Sequence, residues 1–170
     1  MNIFVLHEDP VKAAQDQCDK HVVKMVLESA QMLSTAHRIL DGDNVIDESF
    51  YKIAHKGHPC TKWVMESVAN YQWLYDHFIG LCDEYTYRYG KTHLSDTKFR
   101  DILLFSPNNI PILERTPFAL AMSAFPQFID YNDPVTSYRR YYGTKADNFN
   151  LLWTKREIPD WYFREYTGAF

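Results

Sequence analysis

Residues 17–40 read QCDKHVVKMVLESAQMLSTAHRIL and contain neither glycine nor proline. When this stretch is placed on a helical wheel at about 100° per residue, its apolar positions fill a broad arc. The arc consists of Val22, Val23, Met25, Val26, Leu27, Ala30, Leu33, Ala36, Ile39 and Leu40. We therefore predict a long amphipathic helix whose apolar arc lies in the core.

The same helix carries a narrow polar stripe with spacings of three and four residues. Its members are Gln17, Lys20, His21, Lys24, Glu28, Gln31, Thr35 and Arg38. In one interpretation the stripe faces water, and the pair formed by Lys24 and Glu28 contributes about 0.2–0.5 kcal/mol. In the other it forms the wall of a cleft, where Glu28 is a candidate general acid or base, or a stabiliser of a cation, beside basic side chains. The periodicity leaves both interpretations open.

The sequence CDKH at residues 18–21, followed by Glu28, resembles the first catalytic helix of the bacteriophage pyrimidine-dimer DNA glycosylases. In that family a small residue, Asp, a polar residue and His precede the essential Glu by the same interval. The resemblance implies that Glu28 is catalytic and that His21 takes the place of the family's His. The cations that it places toward DNA on this helix are Lys20, Lys24 and Arg38.

Two later segments extend this resemblance. Gly57 and His58 precede a long predicted helix, as a Gly-His pair does in the family, which implies that His58 lies in the cleft. Residues 137–143, SYRRYYG, resemble the family's Trp-Tyr-Lys-Tyr-Tyr-Gly segment. The DNA contacts implied there are Arg139, Arg140, Tyr141 and Tyr142. Arginine with interleaved tyrosine suits phosphates and exposed bases, although ordinary helix packing gives the same pattern.

The nucleophile is where the chain departs from the family it resembles. In the family, removal of Met frees a Thr amine that attacks the sugar, whereas this chain begins Met1-Asn2, and a large Asn usually protects the initiator Met. An α-amine titrates near pKa ~8 and a lysine amine near ~10.4, so the α-amine is the better nucleophile. We expect any Schiff base at Met1 rather than Lys24. The longer stretch before His21 leaves open whether Met1 reaches Glu28, and water is the nucleophile if it does not.

Composition bounds the class of protein. With 170 residues, 46% hydrophobic and 16% aromatic, we expect one globular domain over residues 1–170. We predict a mostly α, compact helical bundle with a short extended segment near the N-terminus. The net charge of -4 and a pI near 5.9 disfavour general nucleic-acid binding but allow a local basic face. Three cysteines and no membrane-length apolar run indicate reduced thiols and a cytoplasmic protein without a membrane partner.

The remaining elements are predicted from caps, breakers and periodicity. We expect helices over residues 9–16, 48–54, 61–87, 95–105 and 133–143, the last ended by Gly143. Residues 2–6 read as a short strand or a buried extended segment, and residues 41–44 as a surface loop. Residues 116–128 fit either a helix or an extended segment. The aromatic tail, residues 151–170, is too apolar to lie free in solution and should pack on the body.

A rival chemistry is offered by the loop that holds His55, His58 and Cys60, because all three are zinc-type ligands. A structural zinc needs a fourth partner, and the paired motifs of a zinc deaminase are not present. The simpler interpretation of His58 is a loop side chain bonded to the backbone. We therefore expect neither a metal nor a cofactor.

These observations favour a DNA glycosylase, with AP-lyase activity as a second expectation, acting on damaged or modified pyrimidines in duplex DNA. Glu28 would stabilise the positive charge that develops at the sugar. One alternative is an enzyme on the same scaffold that acts on a free nucleotide or modified base, which the acidic pI suits. The other is a non-enzymatic phage or host interaction protein that uses the aromatic tail.

Overall fold

The computed structural model describes residues 1–42 and 49–166, with side chains up to residue 164. Within these residues the chain forms seven α-helices and two short 3₁₀ helices, and no strand. The α-helices are α1 (Pro10–Gln15), α2 (Asp19–Leu40), α3 (Pro59–Glu66), α4 (Val68–Tyr89), α5 (Leu94–Phe99), α6 (Pro134–Gly143) and α7 (Asp160–Tyr166). The predicted all-α class is confirmed. Residues 2–6 form a buried segment without regular structure, in place of a strand.

Helix α2 is the central element, and it packs against α3, α4 and α5. Its apolar arc is predicted correctly at most positions but wrongly at Val23, Leu27 and Ile39, which are exposed. The helix is rotated so that His21 and Glu28 point inward instead. Burial of these polar side chains is tolerated because both find hydrogen-bond partners inside the protein. The stripe is therefore not a fully solvated face: Gln17, His21, Glu28 and Thr35 are buried, whereas Lys20 and Lys24 are exposed.

The helix predicted over residues 61–87 is two helices. Ser67 separates α3 from α4 with extended backbone angles, φ -156° and ψ 156°, and its side chain caps α4 by accepting from the N–H of Asn70 at 3.0 Å. Farther along α4, a Cβ added at Gly80 would lie 3.1 Å from the Cβ of Ala14. The close packing of α1 on α4 therefore depends on glycine at this position.

Other boundaries also differ from the predictions. Residues 49–54 form no helix, and residue 48 lies outside the described part of the chain. Helix α5 ends at Phe99 rather than at residue 105. Residues 116–128 form no α-helix, and the regular structure in this range is limited to the 3₁₀ helix Pro126–Phe128. Helix α6 ends at Gly143 as predicted, but the φ of Gly143, -55°, is helical, and the chain continues directly into the 3₁₀ helix Thr144–Asp147. The predicted surface loop begins with Asp41 and Gly42, both half-buried, and its residues 43–44 lie outside the described part.

The described part of the aromatic tail packs on the body as predicted, and residues 167–170 lie outside the described part of the chain. Trp153 and Trp161 are buried, and their indole N–H groups donate to the backbone oxygen and to the carboxylate of Asp16, at 2.9 Å and 2.8 Å. Behind them, buried Arg88 joins α4 to the start of α2 through ion pairs with Glu84 and Asp19 at 2.8 Å and 2.9 Å. No helix of the described residues combines the length and apolar character that a bilayer span requires.

Candidate active site

A cleft of about 290 Å³ opens between the N-terminus, α2 and the end of α6. It is lined by Met1, Asn2, Phe4, His21, Lys24, Met25, Glu28, Tyr141, Lys145, Asn148 and Phe149. The three predicted catalytic residues, Met1, His21 and Glu28, all belong to this lining. The cleft-wall interpretation of the polar stripe therefore describes the structure better than the solvated one.

Glu28 lies at the floor of the cleft and is 8% exposed. One carboxylate oxygen, Oε2, accepts the backbone N–H of Asn2 at 3.2 Å and lies 3.8 Å from the α-amino nitrogen of Met1. The other oxygen, Oε1, lies 3.3 Å from Nζ of Lys24 one turn earlier on α2. Each oxygen of the buried carboxylate thus has a cationic or N–H partner, which compensates for the loss of water around it.

The N-terminus is held in place by its own first two side chains. The side chain of Met1 is only 2% exposed, and its sulfur accepts a hydrogen bond from the hydroxyl of Thr61 on α3 at 3.6 Å. The side chain of Asn2 donates to the carbonyl of Ala121 at 3.0 Å and accepts from the N–H of Ile3 at 2.8 Å. These contacts fix the α-amine beside Glu28, so Met1 does reach the carboxylate that the sequence left in question.

Phe4 turns the chain sharply after this anchor. Its φ of 58° lies in the left-handed region, which is strained for a bulky residue and is found mostly where the surroundings enforce it. The turn stacks the ring of Phe4 on the imidazole of His21, with centroids 4.5 Å apart and planes 18° from parallel. The strained residue therefore forms one wall of the cleft and fixes the plane of the His21 ring.

His21 is nearly buried, and its Nδ1 lies 2.7 Å from the hydroxyl of Tyr142. Burial lowers the pKa of His21 to about 3, and the charges of Lys145, Lys24 and Lys20 add to this effect. The imidazole is therefore neutral at physiological pH. His58 lies near the α-amine of Met1. Its pKa is lowered as well, mainly by burial and to a smaller extent by the positive charge of the N-terminus. This agrees with its predicted position near the cleft.

Sequence reasoning missed six residues of the lining: Asn2, Phe4, Met25, Lys145, Asn148 and Phe149. Lys145 donates to the hydroxyl of Tyr141 at 2.9 Å, and its ammonium lies 4.1 Å from the centre of that ring. The available signal was the spacing of four residues between Tyr141 and Lys145, typical of one helical turn. The sequence prediction ends the helix at Gly143, so it does not place Lys145 one turn after Tyr141.

The predicted DNA-facing residues have different surroundings. Lys20 and Lys24 are exposed at the cleft, with Nζ of Lys20 lying 4.2 Å from the centre of the Phe149 ring. Tyr141 lines the cleft, whereas Tyr142 is fully buried, so the prediction that Tyr142 contacts DNA is wrong. Its hydroxyl instead forms a hydrogen bond with His21 inside the protein.

The three predicted arginines lie outside the cleft lining. Arg38 donates to the carbonyls of Tyr51 and Phe50 at 2.7 Å and 2.8 Å, near the far end of α2. Arg139 donates to the carbonyl of Leu6 at 2.9 Å and lies over Trp161, while Arg140 is exposed on α6. A role in DNA binding stays a prediction for all three arginines.

The loop with three zinc-type ligands serves other purposes in the structure. His58 caps α3 by accepting the N–H of Cys60 at 3.1 Å, and His55 is exposed. The thiol of Cys60 is buried 3.9 Å from both Asn2 Oδ1 and the hydroxyl of Tyr138. Residues 1–42 and 49–166 contain no cluster of three or more His, Cys, Asp or Glu side chains suited to a metal ion.

Comparison with known families identifies the class of the protein. A family model described as pyrimidine dimer DNA glycosylase matches residues 1–97, which hold the amine, His21, Lys24, Glu28 and His58. The chain therefore belongs to the pyrimidine dimer DNA glycosylase family, and this membership makes it an enzyme that acts on DNA. No curated protein and no solved structure matches the chain. The resemblance of residues 137–143 lies outside the matched range and stays a prediction.

Proposed function

We propose that this enzyme cleaves the glycosidic bond of damaged pyrimidines, pyrimidine dimers first among them, in duplex DNA and then cleaves the strand as an AP lyase. The proposal is carried by one observation, the α-amino nitrogen of Met1 at 3.8 Å from Oε2 of Glu28 in an open cleft. An amine beside a carboxylate is the pair that imine chemistry at a sugar carbon needs. The chemistry requires no metal or cofactor.

In the proposed reaction the amine attacks C1′ of the damaged nucleotide with its lone pair. The bond from C1′ to the base breaks, and the base leaves with that electron pair and takes up a proton. The nitrogen then loses its protons as the sugar ring opens at O4′, which gains one, and an imine joins residue 1 to C1′. Removal of a proton from C2′ sends its electron pair toward the imine, and the C3′–O bond breaks with release of the 3′ phosphate.

Glu28 is suited to two parts of this sequence. Its negative charge, placed beside the amine, stabilises the positive charge that develops on the sugar, and its oxygens can accept the proton that the amine loses. At 8% exposure the carboxylate is shielded from water, so its field at the reacting carbon is stronger than it would be on the surface. Lys24 is the neighbouring cation and holds the other carboxylate oxygen.

The cations at the cleft give the acidic chain a local surface for phosphates. Lys20, Lys24 and Lys145 all raise the positive potential at His21, so the three ammonium groups lie around one point. Glycosylases must expose a sugar carbon that is otherwise hidden in the base stack, and flat side chains beside the cleft favour an unstacked base. Tyr141 and Phe149 are the rings placed for that role. The three cysteines are buried free thiols, which supports our expectation of a reducing, cytoplasmic environment.

The test is a set of three duplexes of the same sequence: one with a single pyrimidine dimer, one with a single abasic site and one undamaged. We expect cleavage of the glycosidic bond in the first, where the detached base stays joined to its dimer partner, strand cleavage of the first two and no reaction with the third. Turnover of a free nucleotide without any reaction on duplex would support the alternative enzyme instead. If the protein shows no duplex binding and no turnover, the result would support an interaction protein.

A further inference from the structure

One buried phenol connects α6 to the first turn of α2. Tyr142 is fully buried, and its oxygen lies 2.9 Å from the backbone nitrogen of Cys18 and 2.7 Å from Nδ1 of His21. The family match ends at residue 97, so no comparison assigns a role to this tyrosine. Its position behind a cleft residue suggests that it acts through His21.

The direction of the short hydrogen bond follows from the donors available. The N–H of Cys18 can only donate, so the Tyr142 oxygen accepts from it and keeps its own proton for another partner. The candidates are Nδ1 of His21 and the thiol of Cys18, and sulfur is the weaker acceptor. Burial raises the pKa of Tyr142 well above its ordinary value, so the proton stays on the phenol. The phenol therefore donates to Nδ1.

An imidazole that accepts at Nδ1 and is neutral carries its single proton on Nε2. The ring of His21 is held in its plane by Phe4 on one face and by the edge contact with Phe149, whose centroid lies 5.6 Å away. Within the described residues Nε2 has no hydrogen-bond partner, and His21 lines the cleft. The free N–H is thus the group that His21 offers to a ligand.

We propose that Tyr142 is a positioning residue that holds His21 as the Nε2–H tautomer, so that an uncharged N–H donor faces an oxygen of the bound DNA strand. The part that concerns DNA rests on the proposed function. This tautomer also excludes His21 as the base. Its Nδ1 accepts the Tyr142 hydroxyl and its Nε2 already carries a proton, so the ring cannot take a proton from the amine. Glu28 is then left as the proton acceptor.

The tautomer can be observed directly in the free protein. A long-range ¹H–¹⁵N correlation spectrum of ¹⁵N-labelled protein at neutral pH distinguishes protonated from unprotonated ring nitrogens. We expect His21 to show a protonated Nε2 and an unprotonated Nδ1, and Tyr142→Phe to shift this pattern toward a mixture. The matched control is Tyr138→Phe, which removes an equally buried hydroxyl of α6 that contacts Ala119 and Ala121 but not His21. It should leave the His21 pattern unchanged.

A protonated Nδ1 or a charged ring in the unaltered protein would overturn the proposal, whether or not the variant folds. So would an unchanged spectrum in folded Tyr142→Phe.

The role toward DNA is tested by a double-mutant cycle. The side-chain amide of glutamine can present an N–H near the position of Nε2 without any tautomer, so His21→Gln removes the dependence on Tyr142. We expect Tyr142→Phe to lower kcat/KM for base release about tenfold in the presence of His21, the effect of one misplaced hydrogen bond. In the His21→Gln background we expect a loss of less than about twofold.

Equal losses in both backgrounds would mean that Tyr142 is merely structural and would overturn its positioning role. A protein with no activity on DNA would refute the proposed function and the DNA part of this inference, while the spectrum alone decides the tautomer.

Discussion

The α-amino nitrogen of Met1 lies 3.8 Å from Oε2 of Glu28, although the two residues belong to different parts of the sequence. The amine is fixed there because the Met1 side chain is buried against Thr61 while the backbone N–H of Asn2 bonds to the same carboxylate oxygen. Met1 is therefore an ordered residue that packs as part of the fold. Its retention would place the amine of residue 1, rather than that of residue 2, at the free end of the chain.

Glu28→Gln should abolish most of the activity while leaving the fold intact. The amide oxygen can still accept the N–H of Asn2, but the charge that stabilises the sugar cation is lost. We expect the rate of glycosidic-bond cleavage to fall by about 10²-fold or more, measured by single-turnover kinetics on a dimer-containing duplex. The control is Glu66→Gln, since Glu66 bonds to Thr116 outside the cleft lining. A Glu28→Gln protein that fails to fold would show that Glu28 is structural.

Lys145→Ala should weaken DNA binding through one lost phosphate contact. For one lost contact, the slope of log Kd against log salt concentration becomes shallower by about one unit. Fluorescence anisotropy at several salt concentrations measures this slope. Lys155→Ala is the matched control, because Nζ of Lys155 bonds to the carbonyl of Tyr87 away from the cleft lining. An identical slope for both variants and the unaltered protein would remove Lys145 from the interface.

Two buried neutral histidines should make stability fall in acid. Burial lowers the pKa of His21 to about 3 and that of His77 to about 4, whereas both titrate near ~6.5 when unfolded. The unfolded chain therefore binds more protons below pH ~6.5, and each histidine costs about 1.4 kcal/mol of stability per pH unit until its folded pKa is reached.

Urea unfolding between pH 7 and pH 4 measures this dependence. His77→Gln should reduce the slope, since one of the histidines whose pKa burial lowers is removed. A free energy of unfolding that does not change over this range would contradict the assigned pKa directions.

Arg88→Ala should destabilise the protein by about 3 kcal/mol, because it removes the buried cation shared by Glu84 and Asp19 and leaves Glu84 with Arg156 as its cation. Chemical denaturation with the linear extrapolation method measures the loss. The exposed pair of Arg115 and Glu8 provides the comparison, and Arg115→Ala should cost about 1 kcal/mol. Similar losses for the two variants would mean that the buried network contributes no more than a surface pair.

Local patterns in the sequence were sufficient to predict helix α2 and to identify His21 and Glu28 as its candidate site residues. His21 and Glu28 belong to the same helix, so their relative position follows from helix geometry and does not depend on tertiary packing. The exposure of Val23 and Leu27 could not be predicted, because a wheel assumes that polar side chains face water, whereas here Met1 and Asn2 supply partners in the interior.

The contacts made between distant segments were beyond the reach of periodicity. Lys145 joins the cleft through a 3₁₀ turn that follows a helical Gly143, and Tyr142 turns inward to His21 rather than outward to DNA. Both outcomes depend on how α6 lies against α2, which tertiary packing decides.

Borohydride reduction of the enzyme on a duplex with one abasic site converts any imine into a stable covalent adduct. Peptide mass spectrometry then identifies the modified residue. We predict an adduct on the α-amine of a retained Met1, the amine that lies beside Glu28. An adduct on Lys24, an adduct on Asn2 after loss of Met1, or base release from damaged duplex without any adduct would contradict the account.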